Sequence, residues 1–83
     1  MNYIDAINLR VIERAELKDL LIEILRETGK EMSCRDFIEI MTGKGLKTKG
    51  HSFKDQVRNV HSTANSHPLI VKIRPGRFCL IQD

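Results

Sequence analysis

Apolar positions along the 83-residue chain switch from helical spacing to alternation, and the breaks fall on glycines and prolines. Leu17, Leu20, Leu21, Ile24 and Leu25 recur at the i, i+3, i+4, i+7, i+8 spacing of one helical face. Their segment, AELKDLLIEILRETGK, meets a left-handed stop at Gly29, followed by Lys30. Ser33-x-x-Asp36 then reads as a capping box, its hydroxyl and carboxylate satisfying the orphan amides of a second helix. Phe37, Ile38 and Met41 form the buried stripe of that helix, Gly43 or Gly45 ends it, and Met32–Ser33 adds a short strand before it. Ser52-x-x-Asp55 opens a third helix, FKDQVRNVHSTAN. Phe53, Val57, Val60 and Ala64 share its apolar face, opposite Lys54, Asp55, Arg58, Asn59, Ser62 and Asn65, with His61 at the border.

Beyond Pro68 the spacing becomes alternating, and LIVKIRPGRFCLI reads as a hairpin about a Pro75-Gly76 turn of type II, or a looser loop. The expected register sets Ile73 against Phe78 and Val71 against Leu80. Leu69, Val71, Ile73, Phe78 and Leu80 then face the core, with Lys72, Arg74 and Arg77 on the other side beside Ile70, Cys79 and Ile81. At the other end, Ile4, Ile7 and Val11 make a helical stripe turned about 100° from that of Leu17–Leu25. Either the chain breaks near Glu13–Glu16 or this stripe serves a second surface, as a homodimer contact or as an N-terminal brace, the brace being favoured. The order predicts an α+β fold: a winged helix-turn-helix with a three-helix core, a C-terminal β-hairpin wing and an extra N-terminal helical segment. Residues 1–15 form the extension and residues 16–83 the winged-helix domain.

Length narrows the function. One small domain leaves no room for a parallel sheet with several crossovers of about 30 residues each. This matters for GKGLKTKGHS, residues 43–52, which nearly matches the phosphate loop G-x-x-x-x-G-K-[ST] with His51 in the lysine position. A helix precedes it instead of a strand, so its glycines are read as ending one helix and turning the chain into the next. Lys44, Lys47 and Lys49 beside a helix N-terminus still make a phosphate seat. The formal charge of +3 hides a division. Residues 1–43 carry six Lys/Arg and nine Asp/Glu, a net of −3, whereas residues 44–83 carry eight against two, a net of +6. A basic C-terminal half points to an acidic partner.

Cys34 and Cys79 lie too far apart to suggest a Cys-x-x-Cys site, and with His51, His61 and His67 they lack metal-site spacing. Both are read as free thiols, Cys34 as a structural one, although a helix start lowers a thiol's pKa. No cofactor, metal or catalytic constellation is expected, and the apolar runs are too short to span a bilayer. The first ten residues lack the pattern of an export signal. The expected location is the cytoplasm, at the nucleoid, in a bacterium, or the nucleus in a eukaryote.

The run LKDLLIEILRETGKEMSCRDFIEIM, the GLKTKG linker and the closing VKIRPGRFCL together resemble HARE-type winged helix-turn-helix domains. Such domains occur in Asx-like chromatin proteins, restriction endonucleases, the bacterial RNA polymerase delta subunit and small bacterial proteins. The resemblance covers roughly Leu17 to Leu80 and leaves residues 1–15 outside it. It implies double-stranded DNA as partner, or docking within a transcription or DNA-modification complex, and brings no catalytic residues. In a helix-turn-helix the third helix enters the major groove. Arg58 then suits guanine and Asn59 adenine, while Lys54 and Ser62 suit phosphate or base edges. Lys47, Lys49 and the Ser52 cap flank the helix start, and Lys72, Arg74 and Arg77 are placed for the backbone. Solvated helix faces and charged hairpin edges are the plainer explanations of the same residues.

Overall fold

A computed structural model describes residues 9–50 and 52–81 of the chain. Ile4 and Ile7 of the N-terminal stripe fall outside those residues. Arg10 and Val11, expected to continue a helix, instead form a short strand, β1. The helical reading fails there because the backbone of residues 10–12 is paired elsewhere: the Arg10 amide donates to the Gly45 carbonyl at 2.8 Å and the Ile12 amide to Lys47 at 2.9 Å. Val11 is left exposed and Ile12 enters the core.

Helix α1 (Arg14–Thr28) buries Leu17, Leu20, Leu21, Ile24 and Leu25, the face its spacing predicts, and also Ile22. Gly29 ends it at φ 67°, its amide donating to the Leu25 carbonyl. The next strand, β2 (Met32–Ser33), runs straight into α2 (Cys34–Gly43). Ser33 closes a reciprocal capping box: its hydroxyl accepts from the Asp36 amide, and its own amide donates to the Asp36 carboxylate, both at 3.1 Å. Phe37, Ile38 and Met41 are buried beneath. A further strand, β3 (Leu46–Lys47), pairs in parallel with β1 and carries the linker toward α3 (Phe53–Ser66).

Strands β4 (Ile70–Arg74) and β5 (Arg77–Leu80) make the wing, and β5 also pairs with β2, so the sheet order is β2-β5-β4. Arg74 faces Arg77 directly across a two-residue turn, with Gly76 at φ 74°. The register then shifts between Lys72 and Arg74, and this overturns the predicted pairing. Lys72 lies opposite Phe78, Val71 opposite Cys79 and Ile70 opposite Leu80. Ile73 is the extra residue of a β-bulge, and one inserted residue sends every side chain beyond it to the other face. Ile70 is therefore buried with Phe78, whereas Leu69, Val71, Ile73 and Ile81 are exposed. The core joins α1, α2, the inner stripe of α3 and this inner wing face around Phe37, Leu21, Ile24, Val60 and Phe78. His61, half-buried as its border position suggests, meets the Phe78 ring edge-on at 5.7 Å.

Linker placement rests on close approach at one glycine. Gly50 has φ 122°, and a Cβ on it would lie 2.6 Å from the Asp55 Cβ in the first turn of α3. Gly45, at φ 80°, has open space around it. Gly50→Ala is expected to destabilise the fold by about 2–4 kcal/mol, combining backbone strain with overlap. Gly45→Ala, which meets only the strain, should cost about 1 kcal/mol. Chemical denaturation of the two variants side by side checks the order.

Candidate nucleic-acid interface

The N-terminal half of α3 begins at Ser52, whose hydroxyl accepts from the Asp55 amide at 3.1 Å. Lys54 and Arg58, four residues apart, share an exposed stripe one turn deep. Neither forms an ion pair with a described residue, and the same is true of Lys47 and Lys72. Positive charge on this stripe is therefore uncompensated locally.

The remaining candidates are engaged within the fold. The Asn59 amide donates to the Thr48 hydroxyl at 3.2 Å and to the Lys49 carbonyl. Thr48 is buried and also donates to the Lys49 carbonyl, so helix and linker are joined through a small polar cluster. The side-chain amide expected at adenine thus holds the segment that leads into the helix. Ser62 faces a different neighbour, accepting from the Arg14 guanidinium at 3.3 Å, which also reaches Ser66 at 3.4 Å. Lys49 pairs with Glu13 at 3.2 Å, and Lys44, of the expected phosphate seat, pairs with Glu27 at 3.6 Å.

At the wing, Arg74 and Arg77 converge on Glu31, the latter through a 2.9 Å hydrogen bond, and Arg77 also lies 3.8 Å from Asp36. Lys72 is separated from this pair, because the bulge puts it in register with Phe78. Glu31 is held below the ordinary carboxylate range by the Arg77 hydrogen bond, helped by both nearby guanidinium charges. Asp36 is lowered chiefly by the Ser33 amide of the capping box. Cys34 goes the other way: burial pushes its thiol up, outweighing the helix start that tends to lower it. Both cysteines are free, and no group of three or more His, Cys, Asp or Glu side chains among the described residues is placed to hold a metal ion.

Sequence reading misses Glu31, Glu13 and Arg14 as neighbours of the candidate site residues. Nothing local announces them, because the Glu31–Arg77 contact spans 46 residues and the Arg14–Ser62 contact 48. Spacing puts Phe53 on the core face of α3, yet it is 51% exposed. It begins the helix beyond the end of the buried stripe, where Val57 is half-buried and Val60 and Ala64 are fully covered.

Asn59→Ala strips a hydrogen-bond donor from buried Thr48 and is expected to lower stability by about 1–3 kcal/mol, read by denaturant titration. The carboxylates give the acid response. Their pKa values are depressed in the folded state, so their stabilisation is present above the unfolded carboxylate range and is lost as pH falls through the folded values. Melting temperature should therefore drop as the solution is taken from about pH 5 to about pH 3. The double variant Glu31→Gln, Asp36→Asn should melt lower at neutral pH and show a shallower acid decline.

A helix-turn-helix with a capped third helix and a three-stranded wing sheet is thus assembled from residues 14–80. The sequence model of the HARE-HTH family, described as the HTH domain of ASXL and restriction endonuclease proteins, matches residues 16–82. Comparison with curated proteins and with solved structures finds no match. The family match spans most of the chain, and the chain belongs to the HARE-HTH family, a DNA-binding helix-turn-helix family.

Proposed function

We propose that this chain is a DNA-binding winged-helix module serving transcription regulation or a DNA-modifying system, with α3 in the major groove and the basic wing on the backbone. The observation that carries this reading is the exposed Lys54–Arg58 stripe on the N-terminal half of α3, without a carboxylate partner among the described residues. A recognition helix presents that half to base edges. Arg58 has the forked donor geometry suited to guanine, and Lys54 and Lys47 suit phosphate. The wing would contribute Lys72 directly. Arg74 and Arg77 would contribute by exchanging Glu31 for a phosphate, which is feasible because exposed ion pairs are weak and salt-screened. Ser52 and Asn59 support this surface by holding α3 and its linker in place.

A second reading keeps the fold and changes the partner: docking on RNA polymerase or a chromatin or DNA-modification complex without direct DNA readout. The outward-facing Leu69, Val71, Ile73 and Ile81 favour it, since apolar clusters mark protein contacts more than phosphate contacts.

Fluorescence anisotropy with a random duplex at two salt concentrations separates the readings. Under the first, affinity falls steeply with salt, and Lys54→Ala and Arg58→Ala each weaken binding and reduce the slope of log affinity against log salt by about 0.9 per lost phosphate contact. Glu31→Gln releases the wing arginines and strengthens binding. No duplex binding at low salt, with early elution from heparin despite the sequence pI of 9.1, would favour docking.

A further inference from the structure

The N-termini of α2 and α3 meet at an aromatic ring. Phe53 is the first residue of α3 and is half exposed, and the Arg35 guanidinium from the first turn of α2 lies 5.8 Å from its ring centroid. That distance is within cation–π range. Arg35 is itself exposed and forms no ion pair with a described residue. A cation in the first turn of a helix is poorly placed with respect to its own helix dipole. Its compensation here is the face of Phe53.

Neither residue is needed by the core. The buried stripe of α3 is supplied by Val60, Thr63 and Ala64, and Phe53 projects beyond it toward the Lys54–Arg58 stripe. An isolated exposed aromatic means little by itself. This one stands at the helix end that meets base edges in a helix-turn-helix, in the company of Arg35, Lys54 and Arg58. Among the groups that the major groove displays, the thymine C5-methyl is the one that seeks an apolar neighbour. Phosphates flank every such methyl, within reach of a cation held against the same ring.

We infer that Phe53 and Arg35 act as one specificity element: the ring packs against a thymine C5-methyl and the guanidinium takes the adjoining phosphate. This rests on the DNA-binding reading and deepens it, adding selection for thymine at one position beside the base contacted by Arg58. Arg35 holds the ring edge toward the groove, and the ring orients the guanidinium, so removal of either weakens the contribution of the other.

The test begins with selection of a bound duplex from a randomised pool. That duplex is then titrated with thymidine or with deoxyuridine at each thymine position, which deletes only the methyl. Wild-type protein is expected to lose about three- to tenfold in affinity at one position on this change, the scale of burying a methyl. Phe53→Ser should bind the thymidine and deoxyuridine duplexes equally, at the weaker level. Arg35→Ala should reduce the discrimination and also lower the salt dependence. Circular dichroism melts establish that Phe53→Ser, an exposed change, stays folded, and Phe53→Leu supplies a second variant that keeps part of the apolar contact and part of the discrimination. Equal binding of both duplexes by the wild type, with binding still lost in Arg58→Ala, overturns the inference and leaves the DNA-binding reading intact. Failure to bind any duplex at low salt overturns both.

Discussion

The linker between α2 and α3 is gripped from two sides, and the position of the candidate interface depends on that grip. On one side, Arg10 and Ile12 donate backbone hydrogen bonds to Gly45 and Lys47. On the other, Asn59 reaches back from the second turn of α3 to Thr48 and Lys49. Gly50 then passes close enough to Asp55 that only a residue without a Cβ fits. A short loop with several lysines would otherwise sample many conformations, at an entropic cost to any ligand that needed one of them. The grip removes that cost before a partner arrives. It also explains why a sequence with the look of a phosphate loop has such regular architecture around it: the glycines serve the close approach and the turn, and the polar groups are satisfied by the protein itself.

A second junction fixes the wing relative to the helices. Ser33 ends β2, caps α2 and lies opposite Arg77 in the sheet register. Met32, beside it, is buried opposite Phe78. Strand pairing, helix capping and core packing therefore meet within two residues. The Glu31–Arg77–Asp36 contacts cover this junction from outside. Wing and helices hold one arrangement because the same short segment belongs to the sheet and leads directly into the second helix.

Strong local signals were legible and weak or distant ones were not. The α1 stripe, the Gly29 stop, the Ser33–Asp36 box, the Ser52 cap and the Pro75-Gly76 turn are each encoded within a few residues, and each lies where its chemistry requires. Strands β1 and β3 have two residues apiece, too few to show a period, and their pairing joins positions 36 apart. The wing failed for a sharper reason. Both of its faces carry apolar residues, so alternation alone favoured the wrong one, and the Ile73 bulge has no composition of its own. Phe53 misled because spacing defines a helical face but not where the core ends along it. The basic residues of the candidate site were legible as residue types. Which of them are engaged within the fold was not, since those partners come from the other end of the chain.

Those partners change the meaning of the charge division. Lys44, Lys49, Arg74 and Arg77 of the basic half pair with Glu27, Glu13, Glu31 and Asp36 of the acidic half. Much of the asymmetry visible along the sequence is thus matched internally on folding. A phosphate approaching one of these cations would gain only the difference between its own attraction and that of the carboxylate it displaces. At Lys54 and Arg58 it displaces only water and counterions. Equal charges therefore have unequal value to an acidic partner. Affinity would concentrate on the α3 stripe, with the wing adding most where Glu31 is protonated or displaced. The same sequence total of +3 would describe a diffuse basic surface just as well. What makes this one directional is which carboxylates the fold brings to which cations.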